Sequence, residues 1–470
     1  MREKIQHIYF PLSLFALNVI LIFIHLTATP ICWDEPFSIY HAQFKINDII
    51  KQLISGNNPP LFEIILHFWI KFFGISPISA RTLPALFACI TPVALYFFVR
   101  KNFTIKIAVI SSLLLSFSDL HLYYAHDCRV YSLFVLLTIL SFYYFFEIIN
   151  SNNISSKILF ILFTTLLIYG HYFGFFILCF QALYLLLFIR KNLLSIFINY
   201  LAVFILYFPY IIVVITRFTK SSNGTWLATP SGIDKIYTML WAFSNEPLVT
   251  VLCIVILIAS LIKYIIQKPK IESKTILVIY WFLIPLLGMF ILSYWIPMYI
   301  PRYLIFALPS YYILLSICLE YLFEKVLFQN ISALILITAF MFSHKLTDSK
   351  QHLMVNAVDF MKGHKAPKTL VLIDISQEFL PLAAYHYNSA FFSSVSDGKE
   401  YHLTDSLMKA DNFYAGWQYK TDELFTKKYD TVIYLTTNVS NKMFPKIKET
   451  FPVQKESKIN DEYFEVIFTR

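Results

Sequence analysis

Two adjacent carboxylates, Asp34 and Glu35, stand in the run Trp33-Asp34-Glu35-Pro36, just past a long apolar segment that begins at Ile8. Acids bordering hydrocarbon are costly to keep there, so the pair is a candidate for proton chemistry, a carboxylate drawing the proton from a hydroxyl. The same four residues also read as an ordinary solvated helix start. A second group, Tyr123-Tyr124-Ala125-His126-Asp127-Cys128-Arg129-Val130-Tyr131, crowds His, Asp, Arg and tyrosines into one turn between apolar segments. Pro301-Arg302-Tyr303 opens a late apolar segment, Arg81 opens an early one, and His171-Tyr172 occupies a hairpin. Singly, each is a snorkelled cation or an interfacial tyrosine. Together they bring acids, arginines and tyrosines from at least five turns to one side of the apolar segments. That suits an anionic lipid headgroup, whose phosphate matches the planar fork of arginine.

The elements that must position these residues are spanning helices. Of the 470 residues, 58% are hydrophobic and 14% charged, against roughly 25% charged in soluble domains, and the mean hydropathy is +0.63. Apolar runs near the ~20 residues needed to cross a bilayer predict a polytopic α-helical membrane protein. About eleven spans are expected, near 8–28, 80–99, 105–118, 129–149, 157–170, 172–189, 193–215, 246–266, 275–295, 303–323 and 329–343. The first is expected as a retained helix rather than a cleaved signal, being long and lacking a small-x-small site before Trp33. The net charge of +9 belongs to this part: residues 1–343 hold 22 Lys/Arg against 13 Asp/Glu, and residues 344–470 hold 16 of each. These cations sit at the ends of apolar segments rather than in one basic patch, which argues against nucleic acid as a partner. Arg2, Lys4, Arg100, Lys101, Lys106, Lys157, Arg190, Lys191, Lys263, Lys268, Lys270, Lys274 and Lys325 gather at one set of ends. By the positive-inside rule that set is cytoplasmic, so the motifs and residues 344–470 are expected outside, as in a bacterial inner membrane protein.

Two domains are expected: a multi-spanning part over 1–343, with a first outer loop at about 30–80, and a small α/β domain over 344–470. Within the loop, Ile46, Ile49, Ile50, Leu53 and Ile54 follow helical spacing, and Gly56-Asn57-Asn58-Pro59-Pro60 breaks it. Leu61 to Phe73 then forms a second apolar stretch with Glu63, His67 and Lys71 four apart on one stripe. Beyond His344, helices are expected at Met354–Lys362 and Gln377–Tyr387, and strands at Thr369–Ile375, Thr431–Thr437 and Tyr463–Thr469. No P-loop or GxGxxG appears. The six cysteines include no CxxC pair and no Cys/His spacing suited to zinc. No cofactor and no metal ligands are expected, although a missing motif leaves a bound divalent ion open. Cys32 and Cys128 fall near the motifs, where a disulfide between them is one option.

Over residues 8–320 the ordered set resembles the polyprenyl-phosphate-sugar-dependent glycosyltransferases of the membrane C fold, which include protein O-mannosyltransferases, aminoarabinose transferases and rhizobial galacturonic acid transferases. The matching residues are Asp34-Glu35, Asn58-Pro59-Pro60-Leu61, Gly74 with Arg81-Thr82-Leu83-Pro84, Asp127-Cys128-Arg129-Val130-Tyr131, His171-Tyr172 and Pro301-Arg302-Tyr303. The resemblance implies Asp34 as the base with Glu35 beside it. It also implies Asn58, Arg81, Asp127, Arg129, Tyr131, His171, Tyr172, Arg302 and Tyr303 as the group around a donor's lipid phosphate. Many such proteins have His where this chain has Asn58, whose amide still offers a donor. The implied partners are a polyprenyl-phosphate-linked sugar, a glycolipid, glycan or protein acceptor, and the bilayer. A polytopic transporter or flippase is the rival from another class. It calls for repeated halves and ionisable groups near the midplane, whereas the charges here sit at segment ends and no repeat is visible. A glycan polymerase or ligase is a second rival, with its key residues expected in a large late outer loop.

Overall fold

The computed structural model describes residues 2–28, 34–55, 59–151, 153–189, 193–221, 227–344, 369–373, 391–393, 413–415, 430–436, 444–458 and 464–469. The chain divides into two compact units. One comprises Met1–Leu26, Asn57–Ile65 and Ser79–Leu346; the other comprises Thr27–Gly56, Leu66–Ile78 and Thr347–Arg470.

The first unit is a helical bundle. Among the described residues seven helices are long and apolar enough to cross a membrane, or eight if Ile105–Ser116 and Asp119–Ala125, bent by 58°, form one span. Ile8–Phe23, Ile154–Gly170 and Gly174–Phe188 are apolar but shorter, and these short helices separate this count from the eleven spans expected. Fifteen residues, as in Gly174–Phe188, rise only ~22 Å against a hydrocarbon core of ~30 Å. Tyr131–Asn150 and Pro301–Leu322 are central, with 72% and 83% of their apolar windows buried, whereas Leu193–Thr216 and Val326–Ser343 are each 22% buried and turn isoleucines, leucines and phenylalanines outward.

Since hydrocarbon gives no hydrophobic drive for helix association, polar side chains and close packing must hold the bundle together. Gln181 donates to Ser141 at 2.9 Å and accepts from the Tyr200 hydroxyl at 3.0 Å. Ser141 also meets Thr164 at 2.9 Å. Trp281 Nε1 donates to the Phe306 carbonyl at 3.0 Å, and the Tyr312 hydroxyl to the Phe243 carbonyl at 2.8 Å.

Helix ends fall into two sets. Lys101 pairs with Glu147, Thr104 donates to Glu320 at 2.8 Å, Lys106 to Gln329 at 2.5 Å and Lys263 to the Tyr321 carbonyl at 2.9 Å, which gathers the cations foreseen as cytoplasmic. The opposite ends carry Arg129, His171 and Arg302. There Asn245 fastens several helix termini: its Nδ2 donates to the carbonyls of Phe117 (2.8 Å) and Phe340 (3.3 Å), and its Oδ1 accepts from the Asp119 backbone N–H at 2.8 Å.

In the second unit, helices Glu35–His41 and Ile46–Ser55 realise the patterned loop, with Ile49 and Leu53 buried. His67 Nδ1 donates to the Ala42 carbonyl at 2.8 Å. The C-terminal part contains a mixed sheet of β1 (Thr369–Ile373), β2 (Phe391–Ser393), β3 (Phe413–Ala415), β4 (Thr431–Thr436), β5 (Val453–Lys458) and β6 (Phe464–Thr469) in the order β3-β2-β1-β4-β6-β5. β1 to β4 pair in parallel, while β6 runs antiparallel to both β4 and β5. The three expected strands are present. The helices expected at 354–362 and 377–387 lie outside the described residues.

Asn245 has φ 66°, a conformation that penalises most side chains. Asn245→Ala should lower the thermal midpoint of the detergent-solubilised protein, corresponding to about 2–4 kcal/mol from lost hydrogen bonds plus backbone strain. Asn245→Gly relieves the strain alone and should fall between Ala and wild type.

Candidate functional site

The turn carrying Asp127 and Arg129 follows helix Asp119–Ala125, whose N-terminus is capped by the Ser118 hydroxyl accepting from His121 N at 3.3 Å. Neighbouring elements pin this turn. His126 Nε2 donates to the Ile22 carbonyl at 2.7 Å, Cys128 Sγ to the Ala80 carbonyl at 3.2 Å and Ser132 Oγ to the Tyr124 carbonyl at 2.8 Å. Asp127 and Arg129 are thereby held almost out of solvent. The Arg129 guanidinium lies 4.0 Å from the carboxylate of Glu63, itself only 2% exposed.

His171 ends helix Ile154–Gly170 in an extended conformation, and the next helix starts at Gly174. The hairpin is tight: a Cβ on Gly174 would come within 3.0 Å of the Leu167 carbonyl oxygen. His171 Nδ1 accepts from the Phe173 backbone N–H at 3.2 Å, which places the ring proton on Nε2. That Nε2 is buried and has no hydrogen-bond partner among the described residues. The ring stacks on Phe134 at 4.6 Å and lies 6.1 Å from the rings of both Tyr131 and Tyr303. Burial, reinforced by the charges of Arg129 and Arg302, pushes the His171 pKa down to about 3, so the imidazole is a neutral donor at physiological pH.

Arg302 sits in the first turn of Pro301–Leu304, its guanidinium 5.5 Å from the Tyr303 ring centroid. Its charge reaches Tyr124, as does that of Asp127, and Tyr124 packs on Tyr131 at 4.6 Å. The fold therefore brings together Asp127, Arg129, Tyr131, His171, Arg302 and Tyr303 from three separate sequence regions. Two positive forks and one N–H donor, walled by aromatic rings, are the kinds of group that phosphate oxygens accept from.

The remaining expected residues have surroundings of their own. Arg81 is fully buried and donates to the Leu26 carbonyl at 3.2 Å, bracing the end of the first helix. Tyr172 is placed beside Tyr207, within a tyrosine group that includes Tyr169 and Tyr210. Asp34, half-buried, precedes the helix that the buried Glu35 opens, and both belong to the second unit. Asn58 and Cys32 lie outside the described residues. Glu63 is the residue beside this cluster that the sequence motifs did not include; its signal is an acid in the first turn of a largely apolar helix, Leu61–Phe73, which also carries His67 and Lys71. Among the described residues no group of three or more His, Cys, Asp or Glu side chains is placed to hold a metal.

The buried neutral imidazole has a pH signature. The unfolded histidine binds a proton below about pH 6.5 while the folded one stays neutral to about pH 3, so His171 costs stability as the pH falls through 6.5. Between pH 6.5 and 5 this amounts to about 2 kcal/mol. His171→Gln should reduce the acid-induced drop in thermal midpoint relative to wild type, and an identical drop in the two proteins would contradict the buried neutral ring.

Residues 57–216 match the family described as dolichyl-phosphate-mannose-protein mannosyltransferase. No curated protein sequence matches the chain. The fold is similar to that of ArnT from Cupriavidus metallidurans in the apo state, with TM-score 0.64 and 9% identity over 97% of each chain. The same protein bound to undecaprenyl phosphate gives TM-score 0.62, again at 9% identity and 97% of each chain. The archaeal oligosaccharyltransferase AglB from Archaeoglobus fulgidus, in complex with an inhibitory peptide and a dolichol-phosphate, is similar at TM-score 0.54 and 10% identity, over 98% of this chain and 74% of that one. The family match and the shared fold bear out the resemblance that the ordered motifs carry: this is a multi-pass membrane protein with the fold seen in ArnT.

Proposed function

We propose that the protein is a membrane glycosyltransferase that moves a sugar from a polyprenyl-phosphate carrier to a hydroxyl of a glycolipid, glycan or protein on the extracytoplasmic face. The observation that carries this reading is the convergence of the buried Arg129 and His171 Nε2–H with the half-buried Arg302 at the helix ends opposite the cation-rich set. A leaving lipid phosphate gains negative charge as its bond to the sugar breaks, and preorganised donors at a water-poor site stabilise that charge most. The family match over residues 57–216, which spans Arg129 and His171, supports the same donor chemistry.

The reaction is a single displacement with inversion. Asp34 takes the proton of the acceptor hydroxyl as its oxygen attacks the anomeric carbon, and the bond to phosphate opens on the far side. Glu35, buried at the start of its short helix, orients the loop. Nucleotide sugars are cytoplasmic, and a lipid-borne donor is the kind that an outward-facing site reaches. A transporter reading fits less well, because the charges of the bundle gather at helix ends.

The test is transfer by the purified protein from polyprenyl-phosphate sugars, with mass spectrometry of surface glycolipids and glycans in a deletion strain naming the missing sugar. Asp34→Asn preserves shape while abolishing proton acceptance. It should bind donor normally and lose ~10²–10⁴-fold in transfer. Arg129→Lys and Arg302→Lys should both impair transfer, since a point charge does not reproduce the guanidinium fork. Full activity in Asp34→Asn and in the double variant with Glu35→Gln would remove the pair from the mechanism. Full activity in both Lys variants would reduce those arginines to interfacial anchors.

A further inference from the structure

Glu63 has no place in the mechanism above, yet its carboxylate lies 4.0 Å from the Arg129 guanidinium. It lies in the first turn of the helix Leu61–Phe73, 2% exposed, on a segment whose other residues are Leu, Ile, Phe and Trp apart from His67 and Lys71. A buried acid is strongly disfavoured unless a cation compensates it. At 4.0 Å from the Arg129 guanidinium, the contact is a Coulombic pairing rather than the 2.7–2.9 Å bidentate grip of an arginine on a carboxylate. Such a pairing biases the charge that Arg129 presents to an incoming anion.

Arg129 and Arg302 bring positive charge to the cluster, Glu63 and Asp127 bring negative charge, and the His171 ring is neutral. A sugar-bearing prenyl phosphate is a phosphodiester with a single negative charge. Transfer breaks the bond between the anomeric carbon and the bridging phosphate oxygen, and the electron pair stays on that oxygen. The acceptor oxygen takes the anomeric carbon, and its proton passes to the base. What remains in the site is a phosphomonoester, carrying close to two charges above its second pKa of about 6.

Repulsion by a fixed carboxylate scales with the ligand's charge, so it acts about twice as strongly on the product as on the donor. We propose that Glu63 sets the charge of the phosphate site so that the singly charged donor is held and the doubly charged prenyl phosphate is released. Glu63 is thus a selectivity residue of the site, acting alongside Arg129; this role rests on the reading of the Arg129–Arg302–His171 cluster as the carrier-phosphate site.

The test uses the purified full-length protein at pH 8 and two probes, a twenty-carbon prenyl monophosphate and its methyl ester, whose affinities are measured by calorimetric titration. Glu63→Gln should tighten the monoester about tenfold and the methyl ester only about threefold, as expected when one fixed charge a few Å away is removed. Glu63→Asp, which keeps the charge, should leave the ratio of the two affinities near that of wild type. Should the Gln variant fail to fold, Glu63→Met supplies the same change of charge at similar volume. An unchanged or falling monoester preference in the uncharged variants, with Arg302→Gln weakening both probes, would overturn the role of Glu63 and leave the site intact. If Arg302→Gln binds both probes as tightly as wild type does, the site itself is misassigned and the proposal falls with it.

Discussion

A guanidinium withdrawn from water at the edge of a bilayer must be met by anions or hydrogen-bond acceptors, and this constraint organises the bundle around Arg129. The turn that presents it is sewn to two other helices through His126 and Cys128 and closed across its own flanking helices by Ser132, and Glu63 meets its charge from a third. Neither residue is tolerable alone. Each is expensive to bury, and the pair is tolerated because the other is there.

Around that pair the rest of the architecture supplies rigidity where hydrophobic association is absent. Asn245 reaches the end of Ile105–Ser116 and the start of Asp119–Ala125, fixing the bend that precedes the Arg129 turn. The tight hairpin from Gly170 to Gly174 orients His171, and the Phe173 N–H selects its tautomer. Arg302 arrives on the most deeply buried of the candidate spans, so its backbone position is set by the core. The polar contacts among Gln181, Ser141, Thr164 and Tyr200 hold the neighbouring helices at positions far from the site.

Much of this was legible in the sequence, for a physical reason. A short polar turn between long apolar runs can carry an arginine only at a membrane edge, so Arg129, Arg302 and His171 announced both their depth and their common side. Glu63 did not, because Glu63, His67 and Lys71 at intervals of four read as a surface stripe of pairing charges. In the fold Glu63 is buried, His67 turns to the Ala42 carbonyl, and Lys71 remains exposed. Asn245 was silent as well, since a polar residue before Glu246-Pro247 looks like any turn until distant helix ends are brought to it. Strand β5 escaped because Val453–Lys458 is an edge strand rich in charge, which protects the sheet but erases the alternating pattern. The three-residue strands β2 and β3 are too short to show a period. Short helices such as Gly174–Phe188 blurred the count of spans for a related reason: helices packed against neighbours need not match the full thickness of the bilayer.

The central claim is that Arg129, Arg302 and His171 together receive the carrier's phosphate. The most direct measurement is an electron cryomicroscopy structure of the protein in lipid nanodiscs with a saturating prenyl monophosphate. The account predicts phosphate density within hydrogen-bond distance of both guanidinium groups and of His171 Nε2, with the prenyl chain leaving the site into the bilayer. Phosphate density at another location, with the cluster unchanged from its ligand-free geometry, would contradict it.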